Sequence, residues 1–185
     1  MVAGRRRVGV PHFLRMPRLS SLPRGRGRYT FVMRIGVISD THGLLRPEAV
    51  SALAGSEHIL HAGDVGDPGI LDRLRKIAPL TAIRGNVDVG GACALLPDTE
   101  LIELGGRSVY MLHDRHALDL DPIAAGISVV VSGHSHHPAV HWHKGILYFN
   151  PGSAGPRRFS TPVSVGFLTV TEAGVEGKIV ELMKQ

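Results

Sequence analysis

The chain has 185 residues, 43% of them hydrophobic and 20% charged, which suits one globular domain with a sizeable core. Its single cysteine, Cys93, excludes an internal disulfide framework, and no run approaches the roughly 20 apolar residues of a membrane-spanning helix, so a soluble, cytoplasmic protein is expected. The formal charge of +5 does not describe a basic domain surface: residues 1–32 hold eight arginines (Arg5, Arg6, Arg7, Arg15, Arg18, Arg24, Arg26, Arg28) and no acid, and the 21 basic residues less these eight leave 13 against all 16 acidic ones, a net −3 for the remainder.

Residues 1–32 mix arginine, glycine, proline and serine without sustained periodicity, a composition expected to stay disordered, ahead of one domain over residues 33–185. The segment lacks the continuous apolar core of a secretory signal, although its Arg-rich, acid-free composition superficially resembles a transit peptide. Met33 stands directly before the first predicted strand, as a natural start of translation would, so the extension is read as an artefact of start choice. The competing reading, an RNA-binding arm, lacks aromatic interleaving.

From Met33 onward, apolar runs bounded by turn residues predict strands at residues 35–38, 59–60, 80–83, 109–112 and 127–131. Between the early ones lie two predicted helices. Pro47 opens one at residues 47–53, and residues 68–76 space Ile70, Leu71, Leu74 and Ile77 at helical intervals. The second half is richer in strands: residues 99–104 and 108–112 flank Gly105-Gly106-Arg107, residues 139–143 and 146–149 flank Lys144-Gly145, and residues 163–170 and 175–182 close the chain as a hairpin. The expected fold class is α/β, with mixed β-sheets packed as a sandwich and flanked by helices.

Polar clusters fall just after these strands, where the active-site loops of α/β proteins gather. Asp40-Thr41-His42-Gly43 follows the first strand, Gly63-Asp64 the second, and Arg84-Gly85-Asn86-Val87-Asp88 the third; His113 ends residues 109–112, and Gly133-His134-Ser135-His136 follows residues 127–132. Carboxylates, an amide oxygen and imidazoles suit a divalent cation such as Mn, Fe, Ni or Zn and not a thiolate-rich structural zinc site. Seven candidate ligands, Asp40, His42, Asp64, Asn86, His113, His134 and His136, exceed one tetrahedral site. Two cations about 3.5–4 Å apart need a shared ligand, and the two-oxygen side chain of Asp64 fits that place best.

Read in order, Asp-x-His, Gly-Asp, Gly-Asn-x-Asp, His and Gly-His-x-His resemble the calcineurin-like metallophosphoesterase superfamily, in particular its small single-domain phosphodiesterase branch. The resemblance runs from Met33 to about Leu182 and includes Asn150-Pro151-Gly152-Ser153. It implies that Asp40, His42, Asp64 and His136 hold one ion and that Asp64, Asn86, His113 and His134 hold the other. Manganese is the first expectation among Mn, Ni, Fe, Zn and Mg. A hydroxide shared by the two cations would attack phosphorus in line, with no covalent enzyme intermediate. Asp64, Asn86 and Asp88 are thereby the catalytic candidates, Asp88 as a group that orients a ligand or backbone, and Asn86 and Arg84 are the candidate substrate contacts, Arg84 pairing with Asp88 or with a substrate phosphate.

Two departures refine this expectation. Many phosphatases of the superfamily have Gly-Asn-His-Asp where this chain has Val87, and valine cannot protonate a leaving group, so small phosphodiesters or activated esters are favoured over ordinary monoesters. His113-Asp114-Arg115-His116 stands where the branch often shows His-Gly-His, which changes the loop beside the ligand. His61 reads equally as a packed histidine or a support to the ligands, Arg157 and Arg158 as an exposed turn more readily than as contacts to a phosphate, and His137, His141 and His143 as a solvated surface without a metal role. Rival functions are a non-catalytic protein-binding scaffold on the same fold, as in a retromer subunit the superfamily contains, and a nuclease recruiting polyanions through the basic tail. No membrane partner is expected, and an oligomer is compatible with the sequence.

Overall fold

A computed structural model describes residues 31–158 and 160–183, so nearly all of the expected disordered extension lies outside the described residues. β1 (Val32–Ile38), α1 (Pro47–Leu53), β2 (His58–Ala62), α2 (Pro68–Arg75) and β3 (Leu80–Ile83) form the opening βαβαβ run. The three strands pair in parallel, with Ile35 opposite His58 and Ile59 opposite Leu80. α2 starts where its sequence dictates: the Asp67 carboxylate accepts the Gly69 N–H at the N-cap, Pro68 occupies the first turn, and Ile70, Leu71 and Leu74 face inward.

The rest is mostly strand: β4 (Thr99–Leu104), β5 (Arg107–Leu112), β6 (Val129–Val131), β7 (Ala139–His143), β8 (Ile146–Asn150), β9 (Ser164–Thr171) and β10 (Gly174–Glu181). Two five-stranded mixed sheets result, in the orders β10-β9-β1-β2-β3 and β4-β5-β6-β8-β7. Their facing sides interdigitate. Ile35, Val37, Leu60 and Ala62 from the first sheet meet Val109, Met111, Val131, Leu147 and Phe149 from the second in one buried cluster. This arrangement is the mixed-sheet sandwich the sequence predicts.

The outer faces are covered differently. Both helices lie against the first sheet, where Leu53, Ile70, Leu71 and Leu74 bury Ile38 and Ile59. The outer face of the second sheet, with Leu112, Val130 and Ile146, is covered by Ile127, Leu118 and Leu120 from an irregular segment that holds only the 3-10 turn Arg115–Ala117. Ile127 therefore belongs to the cover, and the strand predicted at residues 127–131 shortens to β6.

Parallel pairing sets where the loops go. β1, β2 and β3 run together in one sheet, and β5, β6 and β8 run together in the other. Their carboxyl ends are stitched across the rim: Asp40 N–H donates to Gly63 O at 3.0 Å, Gly133 N–H to His113 O at 3.0 Å, and His113 Nδ1 to Ala62 O at 2.7 Å.

Candidate metal centre

Six non-glycine residues among those described have positive φ, and five of them are candidate ligands: Asp40 (54°), His42 (45°), Asp64 (55°), His134 (66°) and His136 (57°). The sixth, Lys144 (48°), sits in the tight β7–β8 hairpin. Left-handed backbone costs an L-residue roughly 1–2 kcal/mol, and such strain gathers at functional sites. Here it turns five side chains away from their strands and into a common space.

Asp40 is fully buried, with Oδ1 3.2 Å from His136 Nε2 and 4.0 Å from both His42 Nε2 and His113 Nε2. The His42 and His136 Nε2 atoms are 3.2 Å apart. Asp64 Oδ2 stands between two imidazoles, 3.7 Å from His42 Nε2 and 3.3 Å from His113 Nε2. Two triads have donor atoms within 4.8 Å of one another: Asp40, His42 and His136, and Asp40, Asp64 and His113. Asn86 and His134 form the adjoining pair, Asn86 Oδ1 lying 3.0 Å from His134 Nδ1.

These residues fit divalent cations on their own chemistry. Both carboxylate oxygens of Asp40, Nε2 of His113 and Nδ1 of His136 are buried without a hydrogen-bond partner, although His136 Nε2 approaches Asp40 Oδ1 closely. A buried carboxylate left in that state is costly unless a cation compensates it. All the converging groups are oxygens and imidazole nitrogens, the donor set of Mn, Fe, Ni or Zn.

The surrounding polar groups hold the donors in place. His113 gives Nδ1–H to the Ala62 carbonyl, which directs Nε2 at the two aspartates. Asp64 Oδ1 accepts the Val87 N–H at 3.0 Å. Burial works against ionisation of Asp64, but the close approach of the His113 imidazole and the Val87 N–H prevail and lower its pKa. The same contact raises His113: burial disfavours its cation, and the approach of the Asp64 carboxylate with the hydrogen bond to the Ala62 carbonyl outweighs that. Burial lowers His42 despite Asp64 and Asp40, and Arg158 contributes to the lowering. A neutral His42 is ready to ligate.

Asp88 is buried and uses both oxygens on backbone: Oδ2 accepts from Val65 N at 3.0 Å and Gly85 N at 2.8 Å, and Oδ1 from Gly66 N at 2.9 Å. It orients the loops that carry Asp64 and Asn86 without facing the donor cluster. The pairing of Arg84 with Asp88 does not occur. Arg84 Nη2 is 2.7 Å from Asp98 Oδ1, because three N–H groups saturate Asp88 and the guanidinium extends outward. Arg84 still lines a cavity of about 480 Å³ together with Asn86, His113 and His134. His61 donates toward Thr41 Oγ1 at 3.0 Å and supports the Asp40 turn from behind. His141 and His143 stack on exposed β7 with ring centroids 6.4 Å apart, outside the cluster.

Three supports escape sequence reasoning. Asn150 Nδ2 donates to Gly133 O at 2.7 Å, Ser153 Oγ donates to Asp40 O at 3.0 Å, and Asp114 Oδ2 lies 3.9 Å from His134 Nε2. Asn150 and Ser153 fall in a segment whose resemblance is legible, but its sequence carries no sign of which turns it braces.

Residues 33–173 match the family model for the calcineurin-like phosphoesterase superfamily domain. The chain is 37% identical over 134 residues to the probable metallophosphoesterase MJ0623 of Methanocaldococcus jannaschii, covering 65% of this chain and 68% of that one. It is 34% identical over 160 residues to a probable metallophosphoesterase of Methanothermobacter thermautotrophicus, covering 80% and 92% respectively. Among solved structures, a novel archaeal phosphodiesterase superposes with a TM-score of 0.67 at 23% identity, covering 80% of this chain and all of that one, which shows a shared fold.

Proposed function

The chain belongs to the calcineurin-like phosphoesterase superfamily, and from that premise we propose that it is a metal-dependent hydrolase of small phosphodiesters working with two divalent cations. The observation that carries this reading is the buried carboxylate of Asp40, left without hydrogen bonds amid imidazoles presented from strained left-handed turns. Asp40, His42, Asp64 and His136 would hold one ion, and Asp64, Asn86, His113 and His134 the other. Asp64 Oδ2 is suited to the shared place by its approach to both His42 and His113. Asp40 also faces both triads, which keeps the negative charge of the centre concentrated between them.

Bound cations would supply an activated water as nucleophile and take up charge on the phosphoryl oxygens. The chain's own part is orientation. The Ala62 carbonyl fixes the His113 tautomer, and Asp88 fixes the two loops that aim Asp64 and Asn86. Val87 contributes an N–H to Asp64 and an exposed aliphatic side chain beside the site, so no proton donor stands there for a poor leaving group. This favours diesters and activated esters. Arg84, paired to Asp98 on the rim of the adjoining cavity, is a cation that a substrate phosphate entering there would meet. Manganese is among the divalent metals that suit this donor set, and the intact donors argue for a hydrolase over a binding scaffold.

Hydrolysis of a bis-aryl phosphate and its mono-aryl counterpart after chelation and readdition of Mn, Ni, Zn or Mg tests this. Activity restored by metal, higher on the diester and lost in Asp64→Ala, is expected. Absence of bound metal together with absence of turnover would overturn the reading and leave the scaffold in its place.

A further inference from the structure

We propose that Asp114 is a positioning residue for His134, a role that rests on the metal-centre reading above. The two ring nitrogens of His134 face different surroundings. Nδ1 lies 3.0 Å from Asn86 Oδ1, so both atoms can converge on one cation. Nε2 faces the opposite way, toward Asp114 Oδ2 at 3.9 Å. A neutral imidazole that offers Nδ1 to a metal must carry its proton on Nε2, and a carboxylate is the acceptor that fixes that tautomer and strengthens the donor nitrogen.

Asp114 is itself held for this task. It is the N-cap of the turn Arg115–Ala117, with Oδ1 accepting the His116 N–H at 2.9 Å, which leaves Oδ2 to face His134. The separation is about 1 Å beyond a direct hydrogen bond, a gap that a small rotation of either half-exposed side chain or one bridging water closes. The other neighbours of the ring are already engaged: His113 meets it edge-on at 5.3 Å between centroids, with Nδ1 given to the Ala62 carbonyl and Nε2 facing Asp64. Asp114 and His134 also stand together in the walls of two cavities, of about 390 and 480 Å³. Position 114 is where this chain departs from His-Gly-His, and a glycine there has no side chain to do this.

The test is calorimetric titration of Mn(II) into the full chain after chelation, comparing the unsubstituted protein with Asp114→Asn, Asp114→Ala and Asp114→Glu. Asparagine keeps the Oδ1 acceptor for His116 and loses only the anionic oxygen facing His134. Asp114→Asn and Asp114→Ala should each weaken at least one Mn(II) equivalent by about 10–100-fold without lowering the metal-free thermal midpoint in the Asn variant. Asp114→Glu should recover most of the loss. Full affinity in Asp114→Asn, or a Glu variant as weak as the Ala one, overturns the proposal and reduces Asp114 to a turn cap. If the unsubstituted chain binds no Mn(II), the metal-centre reading falls, and this role with it.

Discussion

His61 is fully buried, with Nε2–H given to Thr41 Oγ1 and Nδ1 without a partner. Burial pushes its pKa down to about 4, although Asp40 and Asp88 pull the other way. The unfolded chain takes up this proton near 6.5 and the folded chain near 4, so the stability His61 allows is complete above the first value and is lost as pH falls toward the second. For chelated protein, the expected loss from this residue between pH 7.5 and 5 is about 2 kcal/mol. His61→Gln keeps a donor for Thr41 and cannot titrate, so urea denaturation should show a smaller acid loss by that amount; equal losses in both proteins would contradict the assignment. The sequence offered His61 as either packed or supporting, and burial makes it both. The candidate donors were legible because each carries distinctive chemistry at a strand end. Arg84 misled because its partner Asp98 lies fourteen positions on, beyond β3, where spacing gives no hint of the contact.

At the scale of elements, the loops after β2 and β3 behave as one unit clasped by Asp88. Gly85 permits the clasp: a Cβ there would run into Asp64 Oδ1 and the Asp64 backbone nitrogen. Asp88→Ala would strand the Val65, Gly66 and Gly85 N–H groups, two of these bonds being fully buried, at an expected cost of about 2–4 kcal/mol. Denaturant midpoints measure that loss directly, and a change below about 0.5 kcal/mol, the range of ordinary surface substitutions, would show that the clasp is dispensable. The strands themselves were readable from apolar runs and turn residues, and β3, β4 and β7 match their predicted bounds. Which strands pair, and in which direction, was not, because pairing of β1 with β9 joins residues 129 to 139 positions apart. The cover over the second sheet escaped for a related reason: Leu118, Leu120 and Ile127 follow no single period.

Taken as a whole, the molecule is two stiff sheets whose shared rim concentrates unbalanced negative charge and strained backbone. Cations that bind only the folded state should stabilise it by about 2.7 kcal/mol at a hundredfold excess over Kd, a rise of roughly 5–10 °C in thermal midpoint for a domain of this size. Differential scanning with and without chelator measures this, and an unchanged midpoint would mean that no ion binds. The left-handed turns also set chemistry against stability at the same positions. Glycine at position 42 would relax a φ of 45° and remove one of two imidazole nitrogens now 3.2 Å apart. In the same scans, His42→Gly should raise the chelated midpoint by a few degrees, corresponding to about 1 kcal/mol, and shrink the rise on adding metal. Under the proposed function, a descendant with that single change would keep its outer surfaces and lose hydrolysis, so drift toward an inert fold would run downhill, and selection for turnover would be what holds these side chains in place.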